Sequence, residues 1–486
     1  MNSTSTQETS SSPAMVEMPS PPSGNPLKVV WQLAGAHGVL LAFGIGVGEW
    51  VLGPSLAIGK DLRWMWVATL SIILQVVFNG VSARFAAGTG QSFIAAEVGR
   101  GARRAKGPVG PSLYLLAALL QIGWPVYVAT LAPVLHALWK GTEVAVDAPV
   151  NKWIAIGTYA FCMLILVARF GSTTVMTVLK VVNFALVLYI VGFLFSANIA
   201  FVPAAQWLKT LSGFFAVGYF GGGSQIDWSL VGAVVGYAGA GGVANVMLAS
   251  MVRDEGLGMA IRQGAVTVGF GGGGRSLDLR PVPWNEADPE QAGRWRKWVR
   301  LIWTYQIIIF GLFSFLAMFL SVNLAAGTLP AGTNMTTVAF GILQARRLAE
   351  AVPVLWYLTL LNAFAILFSS QISAVAMLVQ MGTELVTAAS GGKMEGRRAR
   401  HVATGILLAY VVASVVILLF GIAQPTLAKL AANTAGVVLG AACFHLYWLE
   451  ARIGGAVRSP RWVSALLLAG TVVFAGLGGY GLIHSL

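Results

Sequence analysis

The sequence predicts an all-α polytopic membrane protein, with two inverted five-helix repeats and an eleventh span. Three observations carry this. Hydrophobic residues fill 57% of the 486 positions and charged residues only 10%, whereas a soluble domain carries about 25% charged residues. Apolar stretches of spanning length recur along the whole chain; about 20 residues suffice, because each rises about 1.5 Å through a hydrocarbon core of about 30 Å. Two of these stretches are interrupted by glycine-rich runs, and the second break comes five spans after the first.

Residues 1–27 hold many Ser, Thr and Pro, two Glu and no basic residue. Such a segment cannot bury a core and lacks the charged and apolar regions of a signal peptide, so a disordered cytoplasmic tail is expected. The transmembrane domain covers 28–486. Its spans fall near 32–58, 64–88, 112–138, 153–169 and 174–197 (repeat one, 32–197), then 228–252, 298–323, 353–387, 401–421 and 427–449 (repeat two, 228–449), with the extra span at 461–484.

The loop charges test this count, because cytoplasmic loops of membrane proteins collect Lys and Arg. With the N-terminus inside, the inner loops carry Arg100, Arg103, Arg104 and Lys106, then Arg169, a group from Arg253 to Lys297, another from Lys393 to Arg400, and Arg452, Arg458 and Arg461. The outer loops carry only Lys60, Arg63, Lys140, Lys152, Lys209, Arg346, Arg347 and Lys429. The alternation predicts a cytoplasmic (inner) membrane protein with its N-terminus inside and its C-terminus outside. The net charge of +13 is thus spread over loops, and no nucleic-acid face is predicted. Linker 263–297 reads as a solvated loop; its Gly271–Gly274 run, with no Lys-Ser/Thr after it, is not a phosphate loop. Cys162 and Cys443 sit in apolar segments and read as buried thiols acting as small hydrophobes.

The first break is Gly44-Ile45-Gly46-Val47-Gly48-Glu49, followed by Gly53-Pro54. Each glycine costs about 1 kcal/mol of helix propensity relative to alanine, and Pro54 removes a backbone donor. Glu49 is decisive, since an acid near mid-bilayer needs water, a cation or a partner and is functional by default. The second break, Gly236-Tyr237-Ala238-Gly239-Ala240-Gly241-Gly242-Val243-Ala244-Asn245, reads as an unwound segment, with tight packing through small residues as the structural alternative. Five-span units must repeat in inverted topology. Interrupted helices at matching positions of inverted halves mark the midplane site of a secondary transporter, where free carbonyls and half-helix dipoles can hold an ion.

The residues also resemble a known family. Val81-Ser82-Ala83-Arg84-Phe85 with Gly88-Thr89-Gly90 is similar to the Ser-Ala-Arg-Leu … Ala-Thr-Gly stretch of Nramp divalent metal transporters, with Trp66 at a fitting distance upstream. Asn245-Val246-Met247-Leu248-Ala249-Ser250 resembles the family's Asn-Leu-Tyr-Leu-His-Ser, and Ser369-Ser370-Gln371-Ile372-Ser373 its Gly-Gln-Ser-Ser region. The resemblance runs over about 32–450 and implies a leucine-transporter-type fold moving divalent cations with protons. The departures define a divergent branch. The family's Asp-Pro-Gly-Asn falls on Gly46-Val47-Gly48-Glu49 and its Met-Pro-His-Asn on Gly242-Val243-Ala244-Asn245, so the metal-binding Asp, the thioether and the histidine are all replaced.

The remaining candidate ligands are the Glu49 carboxylate, carbonyls around Gly46 and from Gly239 to Gly242, and the Asn245 amide, joined by Gln371 and Asn433 from the eighth and tenth spans. All are hard oxygen donors, which suit Mn²⁺, Mg²⁺ or Ca²⁺. The function expected is secondary transport of a hard divalent cation by alternating access, coupled to protons through Glu49, His37 or His445. The alternatives are an amino-acid or organic-cation transporter of the same fold and, less favoured, a non-transporting sensor. No enzyme motif and no resident cofactor is predicted; the partners are the metal cation as substrate, protons and the lipid bilayer. Arg84 and Glu384, near span ends, are expected to snorkel to the interface.

Overall fold

A computed structural model describes residues 15–23, 46–97, 116–121, 124–169, 173–221, 226–262, 279–333, 339–394, 396–421 and 424–485. His37, Gly44 and the Gly271–Gly274 run lie outside the described residues. Among the described residues every regular element is helical.

The first span is described from Gly46. A π-helical turn, Gly48–Leu52, runs into α1 (Gly53–Gly59). Gly53 N–H closes the π turn on Gly48 O. The wider turn lies just ahead of Pro54, which has no N–H for an ordinary helical bond. The chain then forms α2 (Trp66–Thr89), ended by Gly90 in the left-handed region. Next come α3 (Val126–Lys140), α4 (Pro149–Arg169), α5 (Thr173–Phe201) and α6 (Ala204–Phe214).

The second half opens with α7 (Trp228–Tyr237) and α8 (Val243–Asp254), the two pieces of the sixth span. Helix α9 (Pro289–Tyr305) leads through a π turn into α10 (Phe313–Thr328). It begins at Pro289, well ahead of the predicted 298, because Asp288 caps it by accepting from Glu290 N–H and proline suits the first helical turn. The remaining elements are α11 (Phe340–Ala349), α12 (Leu355–Ala389), α13 (Gly396–Leu419), α14 (Gln424–Ile453) and α15 (Arg461–Ile483).

Eight helices among the described residues are long and apolar enough to cross a membrane. The other three expected spans fall on the first-span segment, on α5, and on α7 with α8.

Packing explains the glycines of the two breaks. A side chain at Gly48 would bring its Cβ 2.1 Å from Tyr237 O, so only glycine lets the first span lie against the end of α7. In the sixth span, Gly239, Gly241 and Gly242 have φ of +101°, +71° and +50°. L side chains rarely adopt that region, and these three residues unwind the span. Gly236 differs: it is helical and a Cβ there would meet Ala432 O at 1.9 Å, so it serves close packing on α14. The run therefore contains both predicted features, in different residues.

Part of the predicted tail has a defined seat. Residues 15–23 lie beside α9. Val16 N donates to Pro283 O at 2.9 Å, Met18 N to Gln291 Oε1 at 3.1 Å and Trp298 Nε1 to Pro19 O at 2.8 Å, and the Met18 side chain is fully buried. Composition could not show this, because the partners lie more than 260 residues away in sequence, as with Met18 and Gln291.

Candidate functional site between the two broken spans

Glu49 stands on the π turn and is 0% exposed. Its Oε2 accepts from Gly46 N at 2.9 Å, and its Oε1 accepts from Gly239 N at 2.7 Å. The carboxylate thus bridges the two breaks through two backbone N–H donors. A carboxylate has about four lone-pair positions, more than the Gly46 and Gly239 donors use.

The unwound residues are held mainly by α2. Gln75, fully buried, donates Nε2 to Ala238 O and to Ser71 Oγ at 3.0 Å, while its Oε1 accepts from Gly241 N at 3.1 Å and from Asn245 Nδ2 at 3.3 Å. Asn245 Nδ2 also donates to Asn79 Oδ1 at 2.9 Å. From the third span, Gln121 Oε1 accepts from Val243 N at 2.9 Å and caps α8. Ser71 Oγ donates to Val235 O at 2.7 Å at the end of α7.

Of the predicted site residues, Gly46, Glu49 and Gly239 meet directly, and Asn245 joins them through Gln75. Gly242 marks the start of α8. Gln371 is buried on α12, beside the Tyr410 hydroxyl. Asn433 is placed elsewhere. Its Nδ2 donates to Ser229 O at 2.9 Å and to Ser485 Oγ at 3.1 Å, tying the start of α7 to the end of α15. His445 lies on α14 and pairs through Nε2 with Glu97.

Neither residue expected to snorkel does so. Arg84 is buried and donates to Ala456 O at 3.0 Å, to Arg458 O and to Ser459 Oγ at 3.3 Å, anchoring the turn before α15. Glu384 is fully buried and ion-paired with Arg253 at the end of α8, while Ser92 Oγ donates to it. Asp254 accepts from Arg253 and, at 2.7 Å, from Gln380 Nε2. Position near a span end suggested snorkelling, but these partners come from distant segments.

The residues that sequence reasoning missed are Ser71, Gln75, Asn79 and Ser82. Their spacing of four, four and three residues places them on one face of α2, a signal present in the sequence.

No protein family matches the sequence, and no curated protein does. Solved structures do resemble it. A manganese transporter of Eremococcus coleocola, bound to an aromatic bis-isothiourea compound, is 15% identical over 96% of this chain and 89% of that one, with a TM-score of 0.63. A mutant of that transporter is 16% identical over 94% and 87%, also at 0.63. Mhp1, a nucleobase-cation-symport-1 family transporter closed around bromovinylhydantoin, is 13% identical over 93% and 90%, at 0.50. The chain has the leucine-transporter-type fold, with two inverted five-helix repeats and an added span.

Proposed function

We propose that this protein is a secondary transporter that moves a cation by alternating access, holding it at Glu49 between the two broken spans. One observation carries the reading: a single buried carboxylate accepts backbone N–H groups from both breaks, so movement of either half changes the site. Half-helices of two inverted repeats meeting at a charged group form an ion site that each face of the membrane can reach in turn.

Among cations the donor set favours a hard divalent ion such as Mn²⁺, Mg²⁺ or Ca²⁺. The Glu49 carboxylate is an oxygen donor, and Asn245 Oδ1, which has no hydrogen-bond partner among the described residues, offers a further oxygen one step away through Gln75. No group of three or more His, Cys, Asp or Glu that could hold a metal occurs among the described residues, so nothing there supplies the imidazole or thiolate cluster that soft metals prefer. The manganese transporter of the same fold supports the same class. Glu49 is the group best placed to couple cation movement to protons, with His445 and Glu97 as the second pair.

A specific feature favours a second reading, an organic cation or amino acid. The carboxamides of Gln75 and Asn245 offer donors and acceptors beside the unwound segment that Glu49 contacts. A flux panel in proteoliposomes at two pH values separates them. Uptake of Mn²⁺, Mg²⁺ or Ca²⁺ and not of amino acids supports the first reading; uptake of amino acids alone overturns it.

A further inference from the structure

We propose that Asn79, Ser82 and Asn245 form a second, uncharged binding step, which takes the cargo cation with its water shell as it passes between Glu49 and the face that loop charges assign to the cytoplasm. The step rests on the cation-transport reading above. Its geometry starts from α2. Ser71, Gln75, Asn79 and Ser82 are each 0% exposed and share one helical face, turned toward the sixth span. Ser71 and Gln75 serve the break itself. Asn79 and Ser82 lie one and two turns beyond it, beside α8.

These deeper residues are incompletely paired. Among the described residues, Asn79 uses Oδ1 to accept from Asn245 Nδ2 at 2.9 Å and leaves Nδ2 without a partner. Asn245 spends Nδ2 on Gln75 and Asn79, and its Oδ1 has no partner among the described residues. The same holds for Ser82 Oγ. A buried polar atom without a partner is destabilising, and more so in a bilayer, where no bulk water compensates it. Three such atoms on facing helices offer hydrogen bonds to an occupant.

Their chemistry selects it. Asn79 Nδ2 is a donor, which a bare cation cannot satisfy but a water oxygen can. Asn245 Oδ1 and Ser82 Oγ accept from water or touch the cation itself. A hydrated cation meets all three needs at once. The absence of charge among these three side chains suits a passage step, because binding there must be weak enough for release. Gln75 links the step to the Glu49 site, since the same Oε1 accepts from Gly241 N and from Asn245, so rearrangement of the break reshapes both.

The test uses the full chain in proteoliposomes, with Mn²⁺ as the probe, and the variants Asn79→Leu and Ser82→Ala. Asn79→Leu keeps the side chain's branching and heavy-atom count, and Asn245 Nδ2 retains Gln75 as its acceptor. The expected result is Mn²⁺ affinity at the Glu49 site little changed, with maximal uptake slowed about tenfold in Asn79→Leu, the loss due to one hydrogen-bonding group, and slowed less in Ser82→Ala. Wild-type uptake in both variants overturns the step. If Asn79→Leu does not fold, Ser82→Ala decides alone, and unchanged uptake overturns the step while the Glu49 reading stands. A wild-type protein that neither binds nor moves Mn²⁺, Mg²⁺ or Ca²⁺ overturns both.

Discussion

Replacing Glu49 by Gln keeps the side chain's size and removes its charge, and the structure sets how large the effect is. The carboxylate accepts at both oxygens, from Gly46 N at 2.9 Å and Gly239 N at 2.7 Å. In glutamine one oxygen becomes an NH₂ that faces one of these donors. One bridging bond is lost and a donor meets a donor, at a cost of about 1–3 kcal/mol. The lost charge matters more. A unit charge pair at about 4 Å interacts by roughly 4 kcal/mol at an effective dielectric of about 20, and a dication by about twice that. Desolvation of the cation offsets part of this, yet a net loss of only about 3 kcal/mol weakens binding by about a hundredfold. Titration calorimetry with Mn²⁺ on the purified variant, beside proteoliposome uptake, reads this directly. Unchanged transport of every tested cation by Glu49→Gln would falsify the ligand role.

Three further outcomes follow from other contacts. Gly48→Ala places a Cβ 2.1 Å from Tyr237 O, so the two breaks must separate; uptake should fall sharply even where the protein still inserts, and wild-type uptake would refute the close approach. Arg253→Leu leaves Glu384 buried without its cation and should cost about 3–5 kcal/mol in a thermal-melt assay, whereas Arg253→Met with Glu384→Leu should recover most of it. Equal destabilisation by the single and double changes would contradict this. At the membrane edge, the hydrogen bond from the Arg63 side chain holds the Asp61 carboxyl down at about 2, against an ordinary 3.8. A lowered folded value means that its stabilisation is complete above the ordinary value and is lost as pH falls through about 2. Asp61→Asn should therefore lower the melting temperature by the same small amount at pH 5 and pH 8; a difference between these points would be inconsistent with that titration.

The fold was legible because bilayer physics writes it into composition. Spans of about 20 apolar residues, the interrupted runs at Gly46–Glu49 and Gly239–Gly242, and one intramembrane acid all follow from the absence of bulk water in the membrane. The junction of Glu49 with Gly239 was legible in part, since both breaks were singled out but the hydrogen bond between them depends on tertiary packing. The stripe from Ser71 to Ser82 has helical spacing in the sequence, yet that spacing alone does not say which neighbouring span the face meets. The contacts of Arg84, Glu384 and Asn433 are not legible for a different reason. Their partners, Ala456, Arg253 and Ser229, are remote in sequence, and no local pattern encodes them.

The most direct test is anomalous scattering from crystals of the protein grown with Mn²⁺. The account predicts a peak between the broken spans, with a Glu49 oxygen at an ionic bonding distance of about 2.0–2.6 Å and the peak lost in Glu49→Gln. A Mn²⁺ peak at another place in the bundle, retained in that variant, would contradict it.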